Sequence, residues 1–278
     1  MIIKANAKLN LTLDIIGRRA DGYHLIDSVF QSIGLFDTVT VEKKEKISVL
    51  CTGIGEKENI AFKAAAEFFK YTGITGGADI KIDKNIPVRA GLGGGSADAA
   101  AVIIALNGIY NTALSKGEMA KIALKCGADV PFFIHGGTAR VGGVGERVEP
   151  LPYAEGYYAV LIKAGEKQST ADMYNRLDTA PVQARTTERF LSAAKSYGYS
   201  EAFVYAGNAF SSVAADKGVI SALKEKNPLL VSLSGSGPVH FAVFGGETAA
   251  KKAAKELEKQ GYKTLAAPFC DCGVQMIE

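Results

Sequence analysis

The stretch Pro87-Val-Arg-Ala-Gly91-Leu-Gly93-Gly94-Gly95-Ser96-Ala97 constrains this chain more than any other. A run of three glycines exposes backbone N–H groups and lets a bulky anion approach closely. The next segment, Asp98 to Leu106, is alanine-rich and reads as a helix starting at or near Ser96 and stopped by Asn107-Gly108. The free N–H groups and partial positive charge of that helix start face the loop, where a phosphate is a suitable guest. Alanine side chains also let the helix sit close to a sheet. Gly94 is the position where a positive φ, or contact with phosphate, is expected to forbid a β-branched residue. No Lys follows Gly95, so this is not a Walker A loop. Ser96 stands where a dinucleotide fingerprint needs its last glycine. Taken alone, the stretch could equally be a flexible connector.

The surrounding chain supplies the setting. Lys8, Asn10, Thr12 and Asp14 alternate with Leu9, Leu11, Leu13 and Ile15, the pattern of a half-buried strand. A turn follows over residues 17–22, then strand over 37–51. Asn59 opens a helix through Lys70, and Ile80 to Ile82 is a short strand. Ser115 with Glu118 forms a capping box for a helix that Gly127 ends. Val148 to Tyr153 holds two prolines and reads as a crossing between domains, 1–152 and 153–278. Beyond it come a strand at Tyr158 to Lys163 and helical pattern over 186–223. Leu229 to Leu233, a glycine turn and His240 to Phe244 follow, then a helix over Thr248 to Gln260 and strand over 263–268. This irregular alternation indicates α+β layers.

The 278 residues are 47% apolar and 22% charged, ordinary for a globular protein of one or two domains. A net charge of +3 is too small to point to nucleic acid or a membrane surface. Cys51, Cys126, Cys270 and Cys272 form no C-x-x-C pair, so they read as small core residues of a reduced, cytoplasmic protein rather than a zinc site. No signal-peptide pattern or apolar run of membrane length is present.

Three ordered motifs resemble the superfamily named for galactokinase, homoserine kinase, mevalonate kinase and phosphomevalonate kinase. They are Ala7-Lys8-Leu9-Asn10-Leu11, the glycine loop, and Ser234-Gly-Ser-Gly-Pro238. Asp21-Gly-Tyr-His24 and Gly127-Ala-Asp-Val-Pro-Phe-Phe133 are similar to the branch whose substrate is a cytidine diphosphate methylerythritol, in the non-mevalonate route to isoprenoid precursors. The resemblance implies an N-terminal α+β domain, a ferredoxin-like C-terminal domain and an active site in the cleft between them. It implies ATP with Mg2+ as cofactors, one small-molecule substrate and a monomer or homodimer, with no dedicated metal site in the protein.

The resemblance assigns Asp129 as the base and Lys8 as its electrostatic partner; an N-cap aspartate and a solvated lysine are the alternatives. Pro87, Val88, Arg89, Ala90, Gly91, Leu92, Gly93, Gly94, Gly95, Ser96 and Ala97 would hold the phosphates, with Ser96 also a candidate helix cap or magnesium contact. Asn59 and Lys84 align with adenosine contacts, or are a cap and a surface charge. Asn10 would face the cleft. Tyr23, His24 and Tyr174 would hold cytosine by stacking and edge hydrogen bonds. Gly235, Ser236 and Gly237 would approach substrate phosphates, or form a tight turn. His135 and His240 read as structural. Two departures stand out: Ala164 and Ala209, where the family often has Pro and Asp. The alternative functions are phosphorylation of another small alcohol and nucleotide sensing without catalysis.

Overall fold

The computed structural model describes residues 1–166, 169–179 and 185–277. Its frame is one long antiparallel hairpin, β1 (Ile2–Arg18) and β2 (His24–Lys44), with register shifts after Asn6, Asn10 and Ile15. Around it come β3 (Ser48–Cys51), α1 (Ile60–Thr72), β4 (Gly77–Asp83), α2 (Gly94–Ile109), α3 (Lys116–Cys126), α4 (Val130–His135), β5 (Thr138–Gly143) and β6 (Arg147–Pro150). The free edge of β2 is shared. Residues 38–44 pair with β4, and 26–31 pair with β5. Helix α2 packs against the hairpin, with Ala97, Ala99, Ala100, Ala101 and Ala105 fully buried. Asn59 caps α1, and the Ser115–Glu118 capping box opens α3.

The second layer follows in chain order. It contains β7 (Tyr158–Lys163), α5 (Thr170–Asp178), α6 (Thr187–Tyr197), α7 (Tyr199–Ala202), α8 (Ser211–Ala214), α9 (Lys217–Lys224), β8 (Leu230–Leu233), β9 (Val239–Phe244), α10 (Glu247–Lys259) and β10 (Thr264–Pro268). Its antiparallel sheet has the order β10-β7-β9-β8, and α9 and α10 cover one face through Val219, Leu223, Ala250 and Leu257. That is the split βαβ arrangement of a ferredoxin-like fold. The other face, with Leu161, Phe241 and Val243, shares a core with Leu9, Leu11, Val29 and Ile33 of the hairpin. The two sheets therefore meet through apolar side chains of β1 and β2.

Several expectations need correction. The first strand is not half-buried: Lys8, Asn10, Thr12 and Asp14 are as buried as the leucines between them. The polar atoms of Thr12 and Asp14 find partners in the second layer. Asp14 accepts from the backbone N–H groups of Thr186 and Thr187, and Thr12 Oγ1 from Thr187 Oγ1. Helix α2 begins at Gly94 after a Gly93 cap and continues to Ile109, past Asn107-Gly108. Ser96 makes no capping bond, because it lies inside the first turn. The division at residues 152 and 153 has an exception in β11 (Val274–Met276), which returns to pair with β1 in the first sheet. Cys51 and Cys126 are core residues, but Cys270 and Cys272 are only half-buried. No helix among the described residues is long and apolar enough to cross a membrane.

Candidate active site

The glycine loop is seated by backbone contacts from both layers. Lys8 N–H donates to the Leu92 carbonyl at 2.9 Å, and Ser234 Oγ donates to the Gly91 carbonyl at 2.9 Å. Gly91 and Gly93 have φ of 79° and 72°, the left-handed region that favours glycine. Gly94 does not; it is the first residue of α2. The positive φ expected at the middle of the run thus falls on the two glycines flanking Leu92. At both, a side chain would also strike its surroundings: Ser234 carbonyl oxygen at Gly91, Phe133 and Lys8 at Gly93.

The loop forms one wall of a cavity of about 450 Å³. Lys8, Asn10, Lys84, residues 87–96, Asp129, Tyr174, Gly235 and Ser236 line it, with Phe30 and Phe210. Lys8 reaches it from the buried polar face of β1. Its ammonium donates to Asn10 Oδ1 at 2.7 Å, lies 4.5 Å from the Phe30 ring centre and stands 3.8 Å from Asp129 Oδ2. Asn10 Oδ1 also accepts the Gly235 N–H at 2.7 Å, which ties the C-terminal glycine turn to the same strand. Asn208 secures that turn from behind, donating to the carbonyls of Leu233 at 2.7 Å and Gly235 at 2.9 Å.

Asp129 occupies the N-cap position of α4, yet its carboxylate caps nothing. The carboxylate is about one-third exposed, at 36%, and open to the cavity. Tyr174, on α5, packs edge-on against Phe210 at 5.0 Å. Burial, with the Asp129 charge adding to it, pushes the Tyr174 phenol up to about 12, so it stays protonated.

The aromatic group is split. His24 lies flat on Tyr174, ring centres 4.4 Å apart and planes 16° apart, with Nε2 bonded to Asp178 at 2.7 Å. Tyr23 is 64% exposed and does not line the cavity. His24 and three other expected residues also stand outside the lining. Asn59 is buried and spends Oδ1 on the Ala61 N–H, Ala97 is on the buried side of α2, and Gly237 closes the turn. Lys84 is not a surface charge: its ammonium is bonded to Asp37 and Asp98. Phe30, Asp37, Asp98, Asp178, Asn208 and Phe210 carry no local sequence signal of a site role. Ala209 is buried, and its N–H donates to the Leu13 carbonyl at 2.8 Å. His240 Nε2 accepts the Asp216 N–H inside the second layer, a structural bond.

Residues 59–137 match the family of GHMP kinases N terminal domains, and residues 206–263 the GHMP kinases C terminal family. The 4-diphosphocytidyl-2-C-methyl-D-erythritol kinase of Carboxydothermus hydrogenoformans is 39% identical, with 97% of each chain covered. That of Alkaliphilus metalliredigens is 37% identical over 92% of this chain and 91% of its own. The chain belongs to the 4-diphosphocytidyl-2-C-methyl-D-erythritol kinases, a branch of the GHMP kinases. A crystal structure of a 4-(cytidine 5'-diphospho)-2C-methyl-D-erythritol kinase superposes with a TM-score of 0.79 at 32% identity, covering 97% of this chain and 99% of that one. A homoserine kinase from Cytophaga hutchinsonii reaches the same TM-score at 18% identity, which shows the shared fold alone. Membership in this branch makes the chain an ATP-dependent kinase.

Proposed function

We propose that the chain transfers the γ-phosphoryl group of ATP to the 2-hydroxyl of 4-diphosphocytidyl-2-C-methyl-D-erythritol. One observation carries the reading: the glycine loop, the Lys8–Asp129 pair and the Tyr174 wall line a single cavity. Phosphoryl transfer asks a protein mainly to position its reactants and to stabilise charge. In this reading the loop and the start of α2 hold the ATP phosphates through backbone N–H groups. The substrate hydroxyl lies between Lys8 and Asp129. Its oxygen forms a bond to the γ-phosphorus, the bond from that phosphorus to the β,γ-bridging oxygen breaks, and the hydroxyl proton passes to the Asp129 carboxylate. Lys8 supplies positive charge to the developing alkoxide, and Asn10 fixes the ammonium.

At nucleotide sites magnesium is held by carboxylates or by a loop Ser or Thr hydroxyl, together with the nucleotide phosphates. The cavity fits that donor set, with the Ser96 hydroxyl in its wall as the protein oxygen. The ion would neutralise phosphate charge. Tyr174 and His24 would take the cytosine, with Tyr23 joining only by turning inward.

Turnover of ATP with a panel of acceptors tests the reading. The cytidine substrate is expected to exceed its uridine counterpart at least tenfold in kcat/KM, since a buried unpaired polar group costs about 1–3 kcal/mol. Preference for homoserine, mevalonate or another small alcohol would overturn it. ATP binding without turnover of any acceptor would leave a nucleotide sensor.

A further inference from the structure

Lys84 and Asp98 stand at the two ends of the glycine loop and are bonded to each other, Nζ to Oδ2, at 2.7 Å. A second carboxylate, Asp37 on β2, takes the same ammonium at 2.5 Å. The other oxygen of Asp37 accepts the N–H groups of Asn85 at 2.6 Å and Ile86 at 2.8 Å, the two residues that lead into Pro87. We infer that Asp37 and Asp98 are positioning residues for the nucleotide, which clasp the base of the glycine loop and fix the Lys84 ammonium at the cavity wall. This rests on the reading that the cavity takes ATP.

Glycines carry no side chains to pin their own backbone, and each has more freedom to lose than any other residue. A loop built from them needs its geometry imposed from outside. Ser234 and Lys8 do this at Gly91 and Leu92 respectively. The clasp does it at the base, joining β2, the end of β4 and the second turn of α2 through one ammonium.

Lys84 lines the cavity, and a side chain at Gly94 would come within 3.3 Å of its Nζ. An ammonium has three N–H donors, and two are directed to Asp37 and Asp98. The third is available to an acceptor on a bound nucleotide. A lysine held this way is a fixed donor rather than a flexible surface charge.

Simple stabilisation does not account for the cluster. Two buried carboxylates share one ammonium, so the group holds an excess of negative charge when all three are ionised. Asp98 Oδ1 is buried with no hydrogen-bond partner, and burial pushes its carboxyl up to about 7 against the pull of Lys84. An apolar cluster of the same volume would close the loop at lower cost, as buried ion pairs are often matched or bettered by apolar packing. What the apolar cluster could not provide is a donor in the cavity wall.

Steady-state kinetics of full-length Asp98→Asn and Asp37→Asn, with ATP and the cytidine acceptor varied separately, tests this. KM for ATP is expected to rise at least tenfold in each. The acceptor KM and the kcat at saturating ATP are expected to stay within about threefold of wild type, on the scale where 1.4 kcal/mol is tenfold. Asp98→Glu keeps the charge and should recover part of the ATP affinity, which guards against a variant that fails to fold. A folded Asp98→Asn with wild-type KM for ATP would overturn the inference. So would a fall in kcat and both affinities together with the melting temperature, the sign of a merely structural role. If wild type shows no saturable ATP dependence, the ATP reading itself fails and the inference falls with it.

Discussion

Gly93→Ala tests how the loop and the Lys8–Asp129 pair depend on each other. The new Cβ would lie 2.6 Å from Phe133 Cζ and 3.1 Å from Lys8 Cγ, at a residue with φ of 72°. Left-handed backbone costs a non-glycine residue about 1–2 kcal/mol, and overpacking about 1–3 kcal/mol, for a sum of about 2–5 kcal/mol. That is a large part of the roughly 5–15 kcal/mol that holds a protein folded. Phe133 has little room to yield: it is fully buried and packed edge-on to Phe132 at 5.1 Å. Lys8 is the softer neighbour, and any shift of its stem moves the ammonium away from Asn10 and Asp129. A misplacement near 1 Å at a reacting centre costs about a hundredfold in rate. Gly95→Ala is the control. Its Cβ would meet only Ile60 Cγ2 at 3.4 Å, at an ordinary helical position. Alanine there should preserve or raise stability, by up to about 1 kcal/mol. Thermal unfolding and ATP turnover of the two variants decide the matter. Wild-type melting and turnover in Gly93→Ala would refute the reasoning.

Asp129→Asn should keep nucleotide binding and lose turnover by about a hundredfold or more, the usual cost of removing a general base; wild-type turnover would sink the assignment. Asn208→Ala strips hydrogen-bond partners from Leu233, Gly235 and Phe210, and should destabilise the protein by about 1–3 kcal/mol in urea unfolding. An unchanged urea midpoint would mean that the glycine turn holds itself. His24→Ala should erase most of the cytidine-over-uridine preference in kcat/KM, whereas preference retained in full would assign the base edge to other groups.

The parts of this fold that rest on local chemistry were legible from sequence. The glycine run, the Asn59 cap and the Ser115–Glu118 box each depend on residues within a few positions of one another, and each stands where expected apart from the onset of α2. The polar face of β1 was not legible, because its partners lie far along the chain. Asp14 is satisfied by Thr186 and Thr187, 172 and 173 residues away. Alternation alone says that a polar face exists, not whether water or protein covers it. Tyr23 and His24 illustrate a different limit. They adjoin in sequence, but His24 opens β2 while Tyr23 ends the preceding turn, and neighbours along an extended chain face opposite ways. The three residues of β11 pair with β1 without any periodic pattern of their own. Asp98 reads as one polar residue in an alanine helix, and its bond to Lys84 depends on how the loop folds back.

The freedom of Asp129 follows from the residues after it. An N-cap aspartate usually adopts extended backbone and accepts the N–H of the second or third helical residue. Here the second helical residue is Pro131, which has no N–H to give. The backbone of Asp129 is itself helical, with φ of −81° and ψ of −14°, so the side chain does not fold back over the helix start. Gly127, with extended backbone at φ of 177°, ends α3 two residues earlier, and only Ala128 and Asp129 separate it from α4. Phe132 and Phe133 then anchor the short helix in the core. The carboxylate is left uncapped at a fixed place on the cavity wall, and the charge it meets there is Lys8. A sequence that looks like a routine helix start therefore withholds the routine partner, and the withheld bond is what leaves the carboxylate open to the cavity.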